Sequence, residues 1–298
     1  MEKRYVTLGL NFMVLTLLYL LLYSSNINLT YISEFQARLI SLLPFLPPEK
    51  ILISLAPLLL YSFSFILLLS LLFIITSLSG LGRLKLFLII PLAIFPYFFN
   101  FSVSVLFLSL GIFISVLFSE KLGKIYLDEI RDYKRFRYGI KLSAKLLFIT
   151  LSLFSLGIFL QLSLNKSYAY LFFNQSLDRA AILMSSSYKY FLPEKEGLIN
   201  LQMEMIKERY NITDEATLEL IRRELEENYN ETLMLNESQV REILLTNFKN
   251  SELAKITVRY YPILTALIIY STLSLLSFLS APFFGLFSYA LFKIFKEE

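Results

Sequence analysis

The chain of 298 residues contains no histidine and no cysteine. Without these residues, neither a Ser-His-Asp triad nor a Cys-His nucleophile can form. The same absence excludes zinc sites built from His and Cys, haem bound through histidine, and thiol redox chemistry. Because the remaining residue types form no catalytic motif, we expect no enzyme activity and no cofactor.

Charged residues are scarce, and they are segregated along the chain. They make up 17% of the residues, whereas soluble globular proteins carry about 25%. Five runs contain no Asp, Glu, Lys or Arg: residues 5–33, 51–82, 86–119, 146–165 and 260–292. A helix needs about 20 apolar residues to cross the roughly 30 Å of hydrocarbon in a bilayer. The five runs therefore predict an integral membrane protein.

The lengths of these runs predict the number of crossings. The third run is too long for one helix, and Pro91, Pro96 and Asn100 stand in its middle, where proline removes a backbone donor. We interpret this run as a hairpin that turns near residues 99–101; the alternative is a re-entrant loop, if the short first arm does not span. The predicted fold class is an all-α polytopic membrane protein with about six transmembrane helices, near residues 5–25, 51–79, 84–99, 101–119, 146–164 and 263–280.

The two ends of the chain need separate interpretation. Residues 2–4 are charged, as at the start of a signal peptide, but no small-residue cleavage site follows, which predicts an uncleaved first helix. Pro282 and Gly285 interrupt the last run. We therefore expect residues 260–298 to form the sixth crossing and then an amphipathic tail at the membrane interface.

The distribution of basic residues predicts the orientation. With six crossings, one side of the membrane receives residues 1–4, 80–85, 120–145 and 293–298, which carry 14 Lys and Arg. The short loop 26–50 on the other side carries only Arg38 and Lys50. Short loops rich in Lys and Arg stay in the cytoplasm. We expect a cell-membrane protein with both termini cytoplasmic and with segment 165–259 outside.

Seven asparagines stand in Asn-x-Ser/Thr, the acceptor motif of N-glycosylation. All seven fall on the predicted outer side, and Asn100, at the hairpin tip, lies too close to the bilayer for modification. The remaining candidates are Asn28, Asn165, Asn174, Asn211, Asn230 and Asn236. The alternative is that these motifs are ordinary polar triplets in asparagine-rich loops.

Apolar residues recur at helical spacing in segment 165–259, which predicts an α-helical extracytoplasmic domain. The three sets are Ile199, Met203, Ile206 and Tyr210; Leu218, Ile221 and Leu225; and Val240, Ile243, Leu244 and Phe248. Thr213 is a candidate N-cap for the second helix, and Asn236 with Gln239 resembles a capping box for the third. The domain lacks cysteine, so packing alone must hold it together. Its expected partners are membrane or surface proteins.

The predicted inner segment 120–145 carries eight basic and four acidic residues. It is either a solvated connector that follows the positive-inside rule, or an amphipathic stretch that docks anionic lipid or a cytosolic partner. Asp128 and Asp132 are four residues apart and would share one helix face, as metal ligands do. Arg131 and Lys134 would pair with them instead. We therefore expect no metal site, and we expect no nucleic acid as a partner.

Small residues four positions apart let helix backbones approach closely in a membrane. Two such strips occur, namely Gly111, Ser115 and Ser119, and Ser277, Ala281 and Gly285. Packing within the bundle is the favoured interpretation, and oligomerisation is the alternative. The amide side chains inside the spans, Asn11 and Gln161, are expected to hydrogen-bond neighbouring helices.

Three classes of function fit this architecture. The first, which we favour, is a non-enzymatic membrane scaffold or assembly subunit with an outer interaction domain. The second is a channel or the permease subunit of a transporter, although the charge-free runs lack the ionisable residues that mark proton relays and ion pathways. The third is a membrane lipid enzyme that works through carboxylates.

Overall fold

The structure is a computed structural model. It describes residues 2–25, 28–42, 48–100, 102–130, 133–191, 195–210, 214–233, 242, 246–247 and 251–296. Every regular element within these ranges is helical, which confirms the predicted all-α fold class. The chain divides into two compact units. The first comprises residues 1–33, 45–170 and 258–298, and the second comprises residues 34–44 and 171–257.

The helices are named here in chain order. They are α1 (Glu2–Ser24), α2 (Leu29–Leu42), α3 (Pro48–Ser79), α4 (Ile89–Ile94), α5 (Val103–Glu129), α6 (Lys134–Leu164), α7 (Ser167–Phe191), α8 (Lys195–Tyr210), α9 (Glu215–Leu233), α10 (Glu252–Leu279) and α11 (Ala281–Lys296). Within the described part of the chain, six helical stretches are long and apolar enough to cross a membrane: Arg4–Ser24, Ile53–Ser79, Gly82–Phe99, Val103–Glu129, Lys134–Leu164 and Ala254–Leu279. The number of these stretches agrees with the six predicted transmembrane helices, and their length and composition are those of a multi-pass membrane protein.

The shortest of the six stretches, Gly82–Phe99, has 18 residues and gains length from its geometry. A 3₁₀ helix at Gly82–Leu88 precedes α4, and another at Phe95–Phe99 follows it. A 3₁₀ helix rises about 2.0 Å per residue and an α-helix about 1.5 Å, so the stretch covers about 33 Å, enough for the roughly 30 Å of hydrocarbon. The chain then reverses at Asn100, whose φ of 51° lies in the left-handed region that asparagine tolerates. This turn lies within residues 99–101, and the length favours a full crossing.

The basic segment 120–145 occupies the facing ends of α5 and α6, which pack as an antiparallel pair. α5 continues to Glu129, and α6 begins at Lys134. Between them, Ile130 is extended and buried, and Tyr133 adopts a φ of 49°. The segment therefore consists of two helix ends with a short connection.

The core of the first unit is formed by α1, α3, α5, α6 and α11. Each contributes large buried side chains, for example Leu18, Phe73, Ile112, Leu142 and Phe284. α11, the segment expected as an interfacial tail, packs one face into this core and exposes the other. Lipid tails are as apolar as these side chains, so close packing and hydrogen bonds must drive the association of the helices.

α10 packs less closely than the core helices. It contributes Leu273 to the core, but Leu267, Leu275 and Phe278 are exposed, the last at 77%. It is linked to α6 by a hydrogen bond from Ser155 Oγ to the backbone carbonyl oxygen of Ala266, at 2.9 Å. A groove lies between α6 and α10.

The second unit contains most of α7, together with α8 and α9, which pack against each other. Ile199 of α8 is buried, and Met203 and Ile206 beside it are half-buried. Leu218, Ile221 and Leu225 of α9 are also half-buried. These residues form the predicted apolar faces of the two helices, except that Tyr210, the last predicted member on α8, is exposed at the end of its helix. The third predicted set, Val240, Ile243, Leu244 and Phe248, and the capping pair Asn236 and Gln239 lie outside the described residues.

α9 is capped by Asp214, one residue after the predicted cap Thr213, which lies outside the described residues. The Asp214 carboxylate accepts the backbone N–H of Thr217 at 3.1 Å and also a hydrogen bond from the Thr217 hydroxyl. The hydroxyl bond, followed by the backbone bond, lowers the pKa of Asp214 below its ordinary value. An ionised carboxylate also suits the positive end of the helix dipole.

Protonation of Asp214 should weaken the first turn of α9. Its pKa is lower in the folded chain than in the unfolded chain, so its contribution to stability is complete above the unfolded pKa and is lost as the pH falls through the folded pKa. Asp214→Asn keeps a capping oxygen but cannot titrate. In hydrogen exchange corrected for the intrinsic rate, residues 215–220 should lose protection below about pH 4 in the wild type. The variant should lose less, and an equal loss in both would contradict the assignment.

Candidate functional site

Gly111, Ser115 and Thr150 join α5 and α6 near the middle of both helices. A β-carbon at Gly111 would lie 3.1 Å from both the Cα and the carbonyl oxygen of Thr150, so the two backbones are close here. The hydroxyls of Ser115 and Thr150 are 2.8 Å apart. Each hydroxyl also has a carbonyl acceptor on the other helix: Ser115 Oγ lies 3.1 Å from the oxygen of Leu146, and Thr150 Oγ1 lies 3.3 Å from that of Gly111. Each hydroxyl therefore bonds across the interface.

Ser119, the third residue of the first strip, faces α3. Its backbone carbonyl oxygen accepts a hydrogen bond from the Ser77 hydroxyl at 2.7 Å. The same Ser77 hydroxyl lies 2.5 Å from the hydroxyl of Tyr138 on α6. A β-carbon at Gly123, one turn further along α5, would overlap the Ser77 oxygen. Ser77 is thus the point at which α3, α5 and α6 meet.

The two amide side chains also link helices. The Gln161 side-chain oxygen accepts hydrogen bonds from the Ser102 hydroxyl at 2.7 Å and from the Ser104 backbone N–H at 3.0 Å, which ties the start of α5 to the end of α6. Asn11 of α1 is fully buried, and its side-chain oxygen accepts the Thr76 hydroxyl of α3 at 3.0 Å. Both residues have the contacts that we expected of them.

The second strip does not lie on one helix. Ser277 belongs to α10, whereas Ala281 and Gly285 belong to α11, because α10 ends at Leu279. A β-carbon at Gly285 would overlap the ring of Phe136 on α6. Ser277 and Ala281 instead line the groove between α6 and α10.

The sequence analysis missed three close-packed glycines, Gly123, Gly139 and Gly157. A β-carbon at Gly139 would overlap the carbonyl oxygen of Phe284 on α11, and one at Gly157 would lie 2.6 Å from Phe107 Cβ on α5. Gly123 extends the first strip by four residues and could have been found in that way. Gly157 has no small residue four positions away on either side, so its role depends on the helix opposite.

An ion pair lies at the start of the stretch Gly82–Phe99. The Lys85 ammonium is 3.3 Å from the Glu120 carboxylate, and the two side chains are 16% and 18% exposed. Lys85 also donates to the carbonyl oxygen of Leu117, and Glu120 accepts the backbone N–H of Gly82 at 2.8 Å. The pair fastens the 80–85 turn to α5.

The candidate metal ligands do not form a site in the part of the chain that the structure describes. Asp128 is exposed near the end of α5, and Asp132 lies outside the described residues. Among the described residues, no three carboxylates come close enough together to hold a metal ion.

The candidate glycosylation sites are placed as follows. Asn28, Asn165 and Asn174 are exposed. The Asn165 side-chain oxygen accepts the backbone N–H of Ser167 at 3.1 Å, at the start of α7. Asn230 lies on α9, and Asn211 and Asn236 lie outside the described residues.

A groove runs along one side of α6 and has two parts. The first part, open and about 430 Å³ in volume, is lined by Tyr126, Lys141, Ala144, Lys145 and Phe148. The second part, about 270 Å³, lies between α6 and the last two helices, and its walls include Phe148, Leu151, Tyr270, Ser277, Phe278 and Phe284. Ala144 and Phe148 line both parts. The two parts therefore adjoin at these two side chains.

Comparisons of the chain with protein-family models, with curated proteins and with solved structures found no match. The class of protein is set by the fold, a multi-pass helical membrane protein. Within the described residues, most buried polar side chains bond to other parts of the chain. Ser143 Oγ and Gln175 Oε1 are the buried side-chain atoms there without such a partner.

Gly139 and Gly9 form a matched pair for testing the importance of close helix contacts. Nothing lies within 4 Å of a β-carbon at Gly9, whereas one at Gly139 would strike the α11 backbone. Alanine favours a helix over glycine by about 1 kcal/mol, but an overpacked contact costs about 1–3 kcal/mol. Gly9→Ala should therefore leave the unfolding temperature of the purified protein equal or higher, and Gly139→Ala should lower it. Equal shifts for both would show that the contact does not matter.

Proposed function

We propose that the chain is a non-enzymatic membrane scaffold or assembly subunit whose second unit is an extracytoplasmic interaction domain. One observation carries the proposal: polar side chains buried among the membrane helices bond one helix to the next. The Ser115–Thr150, Ser77–Tyr138 and Asn11–Thr76 contacts all have this form. Such bonds hold a bundle in one arrangement.

The same contacts favour a fixed bundle over a transporter. Helices that approach backbone to backbone at Gly111, Gly139 and Gly157 leave little space for side chains to rearrange. Ion-coupled transport generally depends on ionisable residues inside the membrane. The charged pair Lys85–Glu120 is instead held between a turn and a helix, with backbone groups as further partners. Its geometry is that of a structural clamp.

The second unit supplies the surface for a partner. Met205, Tyr210 and Leu220, on the paired helices α8 and α9, are exposed by 54%, 66% and 67%. Tyrosine and methionine are enriched in protein interfaces. Exposed ion pairs on α9, such as Arg222 with Glu226, add little stability of their own and suit the polar rim of an interface.

The proposal includes an orientation. Both termini and the segment 120–145 would be cytoplasmic, where this basic segment faces anionic lipid or a cytosolic partner. The loop 26–50, the segment 165–259 and their Asn-x-Ser/Thr motifs would be outside. The lipid bilayer is then the partner of the six apolar helices.

Purification from native membranes tests the interaction role. The wild-type chain should retain a stoichiometric membrane or surface protein, identified by mass spectrometry. The double variant Met205→Glu with Leu220→Glu should lose at least about tenfold of this partner, because charge at an apolar contact costs more than about 1.4 kcal/mol. Glu204→Gln, on exposed α8 surface, is the control and should retain the partner.

Two outcomes would contradict the scaffold assignment. One is that no stoichiometric partner is recovered from native membranes under mild solubilisation. The other is that the partner is an ATPase whose binding survives the double variant, which would favour the permease alternative.

A further inference from the structure

The two parts of the groove beside α6 differ in their chemistry. Lys141 and Lys145 line the open part, and each ammonium lies 6.0 Å from the centre of an aromatic ring, Tyr126 and Phe148 respectively. Lys145 is the last charged residue before the uncharged run 146–165. The boundary between charged and apolar sequence on α6 therefore falls inside the groove.

The second part of the groove lies beside residues 140–151 of α6, next to the lysines, and its lining is apolar. Leu151 and Phe284, which are 2% and 1% exposed, form part of its wall, and Ser277 and Ala281 are small enough to leave it open. Its volume of about 270 Å³ is too small for a helix, whose diameter with side chains is about 10 Å. An extended hydrocarbon chain is thin enough to enter. α10, which packs loosely here, would gain an apolar neighbour.

We propose that this groove binds one anionic phospholipid, whose phosphate lies between Lys141 and Lys145 and whose acyl chain lies against Phe148, Leu151 and Phe284. The open part alone, at about 430 Å³, falls within the range of about 300–1,000 Å³ typical of ligand sites. Lysine side chains can extend along an apolar surface and place the charge at the level of the lipid phosphates. The inference goes beyond the scaffold role and does not depend on which side of the membrane the groove faces.

The charges around the site favour an anion. Lys141 has an exposed carboxylate neighbour, Glu129, at 3.9 Å, and both side chains are about half exposed. Such a pair is weak, so a lipid phosphate can compete for the ammonium. The surrounding segment 120–145 has twice as many basic as acidic residues, eight against four. The local field therefore attracts a lipid headgroup that carries net negative charge.

The chain contains no tryptophan, so a single introduced tryptophan can serve as a fluorescent reporter of its surroundings. Tyr270→Trp places a single tryptophan in the wall of the groove, and Leu20→Trp places one on exposed surface of α1. The full-length variants are reconstituted in phosphatidylcholine vesicles that contain brominated phosphatidylglycerol or brominated phosphatidylcholine. Bromine quenches only a nearby tryptophan, so the ratio of quenching gives the relative affinity of each location for the anionic lipid.

At residue 270, phosphatidylglycerol should be preferred by about fivefold or more, the effect of one lysine near a lipid surface. At residue 20, the two lipids should quench about equally. Lys141→Gln with Lys145→Gln should abolish the preference at residue 270, and Lys141→Arg with Lys145→Arg should keep it. The control Lys121→Gln with Lys124→Gln, which removes the same charge from exposed positions of α5, should also keep it.

Three results would overturn the proposal. The first is equal quenching by the two lipids at residue 270. The second is an equal loss of preference in the Lys121/Lys124 control, which would indicate general attraction to the surface. The third is loss of the preference in excess inorganic phosphate at constant ionic strength, which would indicate a site for free phosphate. If the glutamine variant does not fold, the wild-type preference must still decrease as salt is raised, and a salt-independent preference would refute the role of the lysines.

Discussion

The structure depends on one constraint, which has two halves. Lipid forms no hydrogen bonds with the backbone, and it is as apolar as the side chains, so no hydrophobic effect drives the helices together. The first half of this constraint makes the uncharged runs helical. The second half means that the helices must be held by contacts closer than those of ordinary side-chain packing. Gly111 and Gly139 bring backbones together, and hydroxyls such as Ser115 and Thr150 then reach across the interface.

These close contacts are concentrated on some helices, and this difference between the helices has a functional consequence. α3, α5, α6 and α11 are held by glycines and hydroxyls around Ser77, Gly139 and Thr150. α10 is linked to α6 by the hydrogen bond from Ser155, and many of its apolar side chains are exposed. A tightly bonded core beside one loosely packed helix suits a static scaffold. It also leaves an apolar space that a lipid can fill, next to basic residues at the end of α6.

The sequence predicts some features of the structure and not others. The crossings could be predicted, because charge-free runs and the turn at Asn100 are local properties. The close packing on α5 could also be predicted, because small residues recur every four positions from Gly111. The close packing at Gly157 could not be predicted, because it depends on Phe107 on another helix. The groove could not be predicted at all, since its walls come from residues more than a hundred positions apart, such as Ala144 and Tyr270.

The most direct test of the account is the accessibility of single cysteines, since the chain has none of its own. In intact cells, a membrane-impermeant maleimide should label Leu220→Cys, and Lys124→Cys should react only after the membrane is opened. That result would place the second unit outside and the ends of α5 and α6 inside, as six crossings and the basic segment 120–145 require. Labelling of Lys124→Cys in intact cells, with Leu220→Cys protected, would contradict the account.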